Sequence, residues 1–389
     1  MTWSQSRRIA AIQTPVIPVV GEWIKQHPGT ISLGQGVVHY GPPPGVAEAV
    51  ASAANGQQLH RYGLVRGTDD FLEAAAQKLR AENGLPLYDA SVVCTPGSNM
   101  GFVNAVLAIA DVGDEIILLS PYYFNHEMAV GLAACEPVIV PTDAQYQLDL
   151  QRIEQAITPR TRAIVTVSPN NPTGAVYSAA DLTAVNQLCR ERGLFHISDE
   201  AYEYFTFPGE TPHFSPGSLP DSEAYTISLY SLSKAYGMAG WRVAYMVVPQ
   251  HLETAVKKIQ DTQLVCPPLI SQVAGCAALA AGRNWCEPRI QPFRAVRELV
   301  IEQLETLGDR CDLPHPAGAF YVLAQLDTDQ SDLQLVEQLI RDFGVAVMPG
   351  STFGVAADRC SIRVAFGALE AGTVADGIGR LVRGLNRLL

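Results

Sequence analysis

From residue 91 onward the chain alternates short apolar runs with amphipathic stretches, and the runs end in turns rich in Gly, Pro, Ser and Asn. The runs at 91–95, 115–119, 137–141, 163–167, 194–198, 224–229 and 243–248 read as buried strands, being short, apolar and bounded by turn signals. Between them, residues 100–110, 150–157 and 181–192 read as helices. Upstream, a short helix is predicted at 45–53. Thr68 then caps a helix predicted over 69–82, with Phe71, Leu72, Ala75 and Leu79 on one face and acids in its first turn; Asn83 and Gly84 close it.

Repeated strand-helix units predict a mostly parallel sheet with helices on both faces. After residue 248 the rhythm changes. Helices are predicted at 249–263 and 269–281, and Gly282-Arg-Asn marks a boundary; beyond it, helices at 285–307, 333–343 and 372–388 with strands at 320–323, 345–348 and 361–366 predict a smaller α+β domain. The expected architecture is therefore α/β. A large domain spans 41–282, and a small one is built from the N-terminal segment 1–40 together with the C-terminal third, 283–389. Residues 1–30, with prolines at 15, 18 and 28 and only a short helical pattern, read as an arm that needs another surface.

In open α/β sheets ligands sit beyond the carboxyl ends of the strands, and the polar residues of interest collect at such ends. Lys234, preceded by Ser231 and Ser233 and followed by Arg242, lies on a loop between two predicted strands, read as a loop at a sheet edge. Desolvation there would favour the neutral amine, and the serines and arginine would suit an anionic handle such as phosphate. Thr95-Pro-Gly97-Ser98-Asn99 is a strand-to-helix turn whose first helical amides are free to meet an anion. Tyr123 follows the next strand, either plugging the core or supporting a ligand. Asn171 is held in the restricted turn Pro169-Asn-Asn-Pro-Thr-Gly174, and Asp199 and Tyr202 follow another strand. Gly34 and Gly36 serve a turn or bare backbone to a ligand. Arg363, mid-strand and opposite in facing to Ile362, Val364 and Phe366, is either an edge solubiliser or a fork for a carboxylate.

Composition narrows the function classes. A formal net charge of −12, from 27 basic and 39 acidic residues, argues against nucleic acid or an anionic membrane as partner. The eight cysteines show no paired spacing and the eight histidines no ligand motif, so neither a disulfide frame nor a metal is expected. The first eight residues lack the apolar core of a secretory signal, and no apolar stretch reaches membrane-spanning length; a cytoplasmic protein is expected.

Taken together, Asn171-Pro-Thr-Gly, Asp199-x-x-Tyr202, Ser231-x-Ser-Lys234 and Arg242, in this order and spacing, resemble the class I/II aminotransferases, pyridoxal-phosphate enzymes of fold type I. The resemblance runs from Gly34 to Arg363. It implies that Lys234 condenses with the aldehyde of pyridoxal phosphate and that Asp199 pairs with the ring nitrogen, with His126 behind it. Asn171 and Tyr202 would bond the ring hydroxyl, and Tyr123 would stack on the ring. Gly97, Ser98, Asn99, Ser231, Ser233 and Arg242 would hold the phosphate, joined by Tyr62 from the neighbouring subunit of a homodimer. Gly34, Asn171 and Arg363 would take the substrate carboxylate. The substrates implied are an L-amino acid and a 2-oxoacid.

Asn99 stands where some bacterial aspartate aminotransferases of the family carry lysine. Leu33-Gly-Gln-Gly with Pro42-Pro-Pro resembles the branch acting on glutamine, kynurenine and methionine. A neutral or aromatic donor is therefore expected ahead of aspartate, although Arg61 and Arg66 near the subunit boundary remain available to a distal carboxylate. Among rival readings, a serine–lysine hydrolase lacks its companion motifs, and a regulator on this fold lacks a DNA-binding segment. A carbon–sulfur lyase would share Lys234, Asp199 and Arg363.

Overall fold

A computed structural model describes residues 3–356 and 359–389. Seven strands form the large sheet. In spatial order they are Ala90–Thr95, Ala244–Pro249, Thr226–Ser231, Phe195–Asp199, Thr161–Val167, Glu115–Ser120 and Glu136–Pro141. All neighbours run parallel except Ala244–Pro249, which is antiparallel to both strands beside it. The strands flanking the lysine loop are thus interior ones. The expectation of a lateral sheet edge is corrected: the loop leaves the carboxyl end of a central strand.

Register explains why distant turns converge. Val167, Asp199 and Leu229 lie in one row across three parallel strands, so the chain leaves all three at the same rim. In a second row Thr95 and Ser231 both pair with Ala244, which sets the turn at Gly97, the serines and Arg242 side by side. Apolar side chains from both faces bury against flanking helices; Ile116, Leu118, Val165 and Ile197 pack on one side and Ile117, Leu119 and Ile164 on the other, as the period of two dictates.

The smaller domain joins the chain's two ends. Ile31–Ser32 pairs in parallel with Val345–Ala346. A second sheet runs Met348–Pro349, Cys360–Ala365, Tyr321–Leu326, Cys311–Asp312, all antiparallel. The single strand expected at 345–348 is therefore two, split between sheets. Helices Asp332–Phe343 and Ala371–Leu388 cover this domain with strongly one-sided apolar faces.

The element Leu269–Ile290 is two helices that meet at a kink, where Gly282 leaves helical geometry with φ of 61° and ψ of −163°, at the boundary the sequence marks. Further helical differences have local causes. The next helix starts only after Pro292, as Phe293–Glu305. Phe124–Leu132 forms a helix that the sequence pattern did not suggest, because Asn125, His126 and Glu127 interrupt its apolar spacing. The N-terminal arm holds an 11-residue helix, Val16–Gln26, with Val16 and Val20 buried.

Candidate active site

Two adjoining cavities open at the carboxyl rim and share Tyr123, Asn171, Tyr202 and Lys234. The inner one, about 180 Å³, is bounded by Ser98, Asn99, Asp199, Ser231, Ser233 and Arg242. The outer one, about 390 Å³, reaches Gly34, Tyr321, Met348, Arg363 and the helix Val16–Gln26. Nearly every candidate residue is thus brought to one place.

Anion-binding groups gather where helix Ser98–Ile109 begins. Gly97 precedes it with φ 90°, and a Cβ there would stand 2.1 Å from Arg242 Nη2; only glycine lets the guanidinium approach the turn. Arg242 itself has a left-handed φ of 52°, and donates to the Ala239 carbonyl at 2.8 Å and the Pro96 carbonyl at 3.5 Å.

Asp199 is buried. Its Oδ2 lies 3.1 Å from His126 Nε2, and its Oδ1 accepts from the Ala201 N–H at 3.1 Å. The His126 ring stacks on Phe102 with centroids 4.0 Å apart, so an apolar wall fixes the imidazole that fixes the acid. Tyr123 OH accepts from Asn125 Nδ2 at 3.0 Å and Asn99 Nδ2 at 3.4 Å, and burial raises its pKa.

Lys234 Nζ donates to the Gly36 carbonyl at 2.5 Å. Burial, then the charges of Arg363 and Arg242, lower its pKa to about 8, with Asp199 opposing. The amine is therefore ready to act as base or nucleophile near neutral pH.

Arg363 is buried at 2% exposure, mid-strand between Met348 and Leu323, which excludes the edge reading. Nη1 donates to Asn171 Oδ1 at 2.9 Å and Nη2 to the Gly34 carbonyl at 2.6 Å. Tyr321 and Phe353 each place a ring 4.7 Å from its Cζ. Burying a cation is costly unless it is bonded and stacked; here Nε still has no protein partner, and burial lowers the pKa. Asn171 Nδ2 donates to Tyr202 OH at 3.5 Å, and Tyr202 OH shares a hydrogen with Tyr321 OH at 2.7 Å.

Tyr62 stands apart, 83% exposed and outside both cavities of its own chain. Arg66 pairs with Asp69 at 3.1 Å, and neither it nor Arg61 lines either of these two cavities. Tyr321, Met348, Phe124 and the face of helix Val16–Gln26 were missed in the sequence, being indistinguishable there from core positions. No described helix is long and apolar enough to cross a membrane.

The profile of class I and II aminotransferases matches residues 28–381. An aromatic aminotransferase of Arabidopsis thaliana is 32% identical over 394 residues, 99% of this chain and 97% of its own. The aspartate/prephenate aminotransferase of Thermus thermophilus is 34% identical over 357 residues, covering 90% and 91%. The structure of aspartate aminotransferase from Thermus thermophilus with maleate superposes with a TM-score of 0.90 at 31% identity, covering 98% of this chain and all of that one. The chain belongs to the class I and II aminotransferases and is a pyridoxal-phosphate-dependent transferase of fold type I.

Proposed function

We infer that this aminotransferase takes its amino group from an L-amino acid with an apolar or aromatic side chain and gives it to a 2-oxoacid. The single observation that carries the donor class is the outer cavity's wall, built from Ile17, Val20, Ile24, Val37, Phe124 and Met348, with Arg363 as the one guanidinium among its described residues and Lys234, shared with the inner cavity, the other basic group. One guanidinium matches one carboxylate; an apolar wall leaves a second carboxylate unpaired. A second reading, an aspartate-type donor, is favoured by the relatives. Names that include aspartate outnumber aromatic ones among them, against the order expected from the sequence. Comparing kcat/KM for phenylalanine, methionine, glutamine and aspartate with 2-oxoglutarate as acceptor decides: aspartate ahead overturns the apolar reading, and ammonia released in step with oxoacid overturns transfer.

The inner cavity fits pyridoxal phosphate by its donors: Ser98, Asn99, Ser231, Ser233 and Arg242 suit the phosphate, Asp199 a cationic ring nitrogen, and Asn171 and Tyr202 the ring hydroxyl. When bound, the cofactor supplies an aldehyde that accepts amino groups and a ring that delocalises the electron pair left at the donor's Cα. Lys234 would hold that aldehyde through its Nζ, with loss of water, and once freed by the donor's amino group its neutral amine would carry the proton from Cα to the former aldehyde carbon, the reverse transfer serving the return half. Arg363, with Gly34 and Asn171 behind it, grips the α-carboxylate and so aims Cα at Lys234. Tyr123 would cover one face of the ring and Asp199 would keep the ring nitrogen charged.

We further propose a homodimer in which Tyr62 reaches the partner's phosphate site. Tyr62 and Leu64 are exposed on a loop held against the 265–266 turn by the Gly63 N–H bond to Cys266 Sγ at 3.2 Å, and Val265 adds a further exposed apolar side chain. Leaving such a patch in water is unfavourable. Sedimentation as an active monomer overturns this.

A further inference from the structure

We propose that Gly21 sets the size limit of the donor side chain, its missing side chain being the space into which an aromatic ring extends. The inference rests on the outer cavity being the substrate site and deepens the donor reading above.

Ile17, Val20, Gly21 and Ile24 follow the spacing i, i+3, i+4, i+7 on helix Val16–Gln26, and all four line the outer cavity. That stripe is one helical face. Gly21 sits at its centre, where a side chain would project into the cavity.

Some helical glycines elsewhere have a packing reason, and Gly45 and Gly372, which have none, line neither cavity. A Cβ on Gly275 would come within 2.5 Å of Phe71, on Gly377 within 2.9 Å of Ile31, and on Gly384 within 2.6 Å of Leu339. Gly21 has none, since a Cβ there meets nothing within 4 Å, and its backbone needs no left-handed conformation. Alanine would serve the helix better. What glycine preserves at this position is empty cavity, lined also by Tyr123, Phe124 and Met348. Any residue with a branched side chain would fill the room needed for a ring while leaving Arg363 and Lys234 untouched.

The test compares wild type, Gly21→Ala and Gly21→Leu as holoenzymes, by calorimetric binding of 3-phenylpropanoate and butanoate, amine-free carboxylates that differ in bulk. Gly21→Leu is expected to weaken 3-phenylpropanoate about tenfold or more and to leave butanoate within about twofold, the scale of a filled apolar pocket. Gly21→Ala is expected to raise the unfolding temperature and to change binding little. Equal weakening of both ligands, or of neither, overturns the proposal. A wild type that turns over aspartate fastest, yet loses the aryl ligand selectively on Gly21→Leu, refutes the donor reading and sustains the role of Gly21.

Discussion

Lys234 Nζ lies 2.5 Å from the carbonyl oxygen of Gly36, joining the loop that leaves the large sheet to the N-terminal segment that lines the outer cavity. The amine is held by a neutral acceptor from the small domain, not by a carboxylate, and remains easy to discharge. Replacing Lys234 with alanine is expected to abolish transfer by about four orders of magnitude or more, in line with loss of a covalent nucleophile and base. Borohydride treatment of the variant with pyridoxal phosphate should leave no adduct on the peptide containing position 234; full turnover would remove the central assignment.

The pH dependence follows from the same amine. Its pKa is lowered to about 8, by burial first and then by Arg363 and Arg242. The neutral form therefore grows as pH rises through that value. Uptake of pyridoxal phosphate by the cofactor-free protein should speed up through about pH 8 and level off above it. Arg363→Gln removes a charge that depresses the pKa, so its midpoint should move upward; a profile flat from about pH 6 to 10 in both proteins contradicts the assignment.

Arg363→Lys keeps charge but loses the fork and its stacking between Tyr321 and Phe353. Two charge-assisted bonds at about 1.5–3 kcal/mol each are at stake. A fall of roughly 100-fold in kcat/KM is expected with every donor, together with weaker binding of simple carboxylates. Unchanged carboxylate affinity would separate Arg363 from substrate.

Gly97→Ala tests the phosphate cradle. The added Cβ sits 2.1 Å from Arg242 Nη2, on a backbone with φ 90°. Affinity for pyridoxal phosphate, measured by absorbance titration, should fall about tenfold or more, as expected when about 1–2 kcal/mol of backbone strain adds to a displaced guanidinium. Wild-type affinity would show that Arg242 need not approach this turn.

Strand-helix alternation made the parallel sheet legible, and the polar residues at strand ends marked the rim. What periodicity could not tell was lateral order. Ala244–Pro249 reads as any other apolar strand, yet it runs antiparallel and sits one place from the sheet's side, between Ala90–Thr95 and Thr226–Ser231. Arg363 shows the same limit at one residue: alternation separates its facing from that of Ile362 and Val364, while its burial depends on a neighbour 40 positions earlier, Leu323. Tyr321 is invisible for the converse reason. An aromatic residue in an apolar strand looks like core until its hydroxyl is seen 2.7 Å from Tyr202 OH. The helix Val16–Gln26 could not be seated from sequence because its floor is made mostly by residues more than 300 positions away, such as Met348 and helix Asp332–Phe343.

The parallel pairing of Ile31–Ser32 with Val345–Ala346 ties the two extremities of the polypeptide into one unit beside the outer cavity, while the residues proposed to hold the coenzyme come from the intervening stretch. Most of the proposed donor wall thus lies on lengths of chain apart from the proposed coenzyme site, Phe124 excepted. Grafting residues 16–37 from a paralogue should change donor preference and leave coenzyme uptake intact.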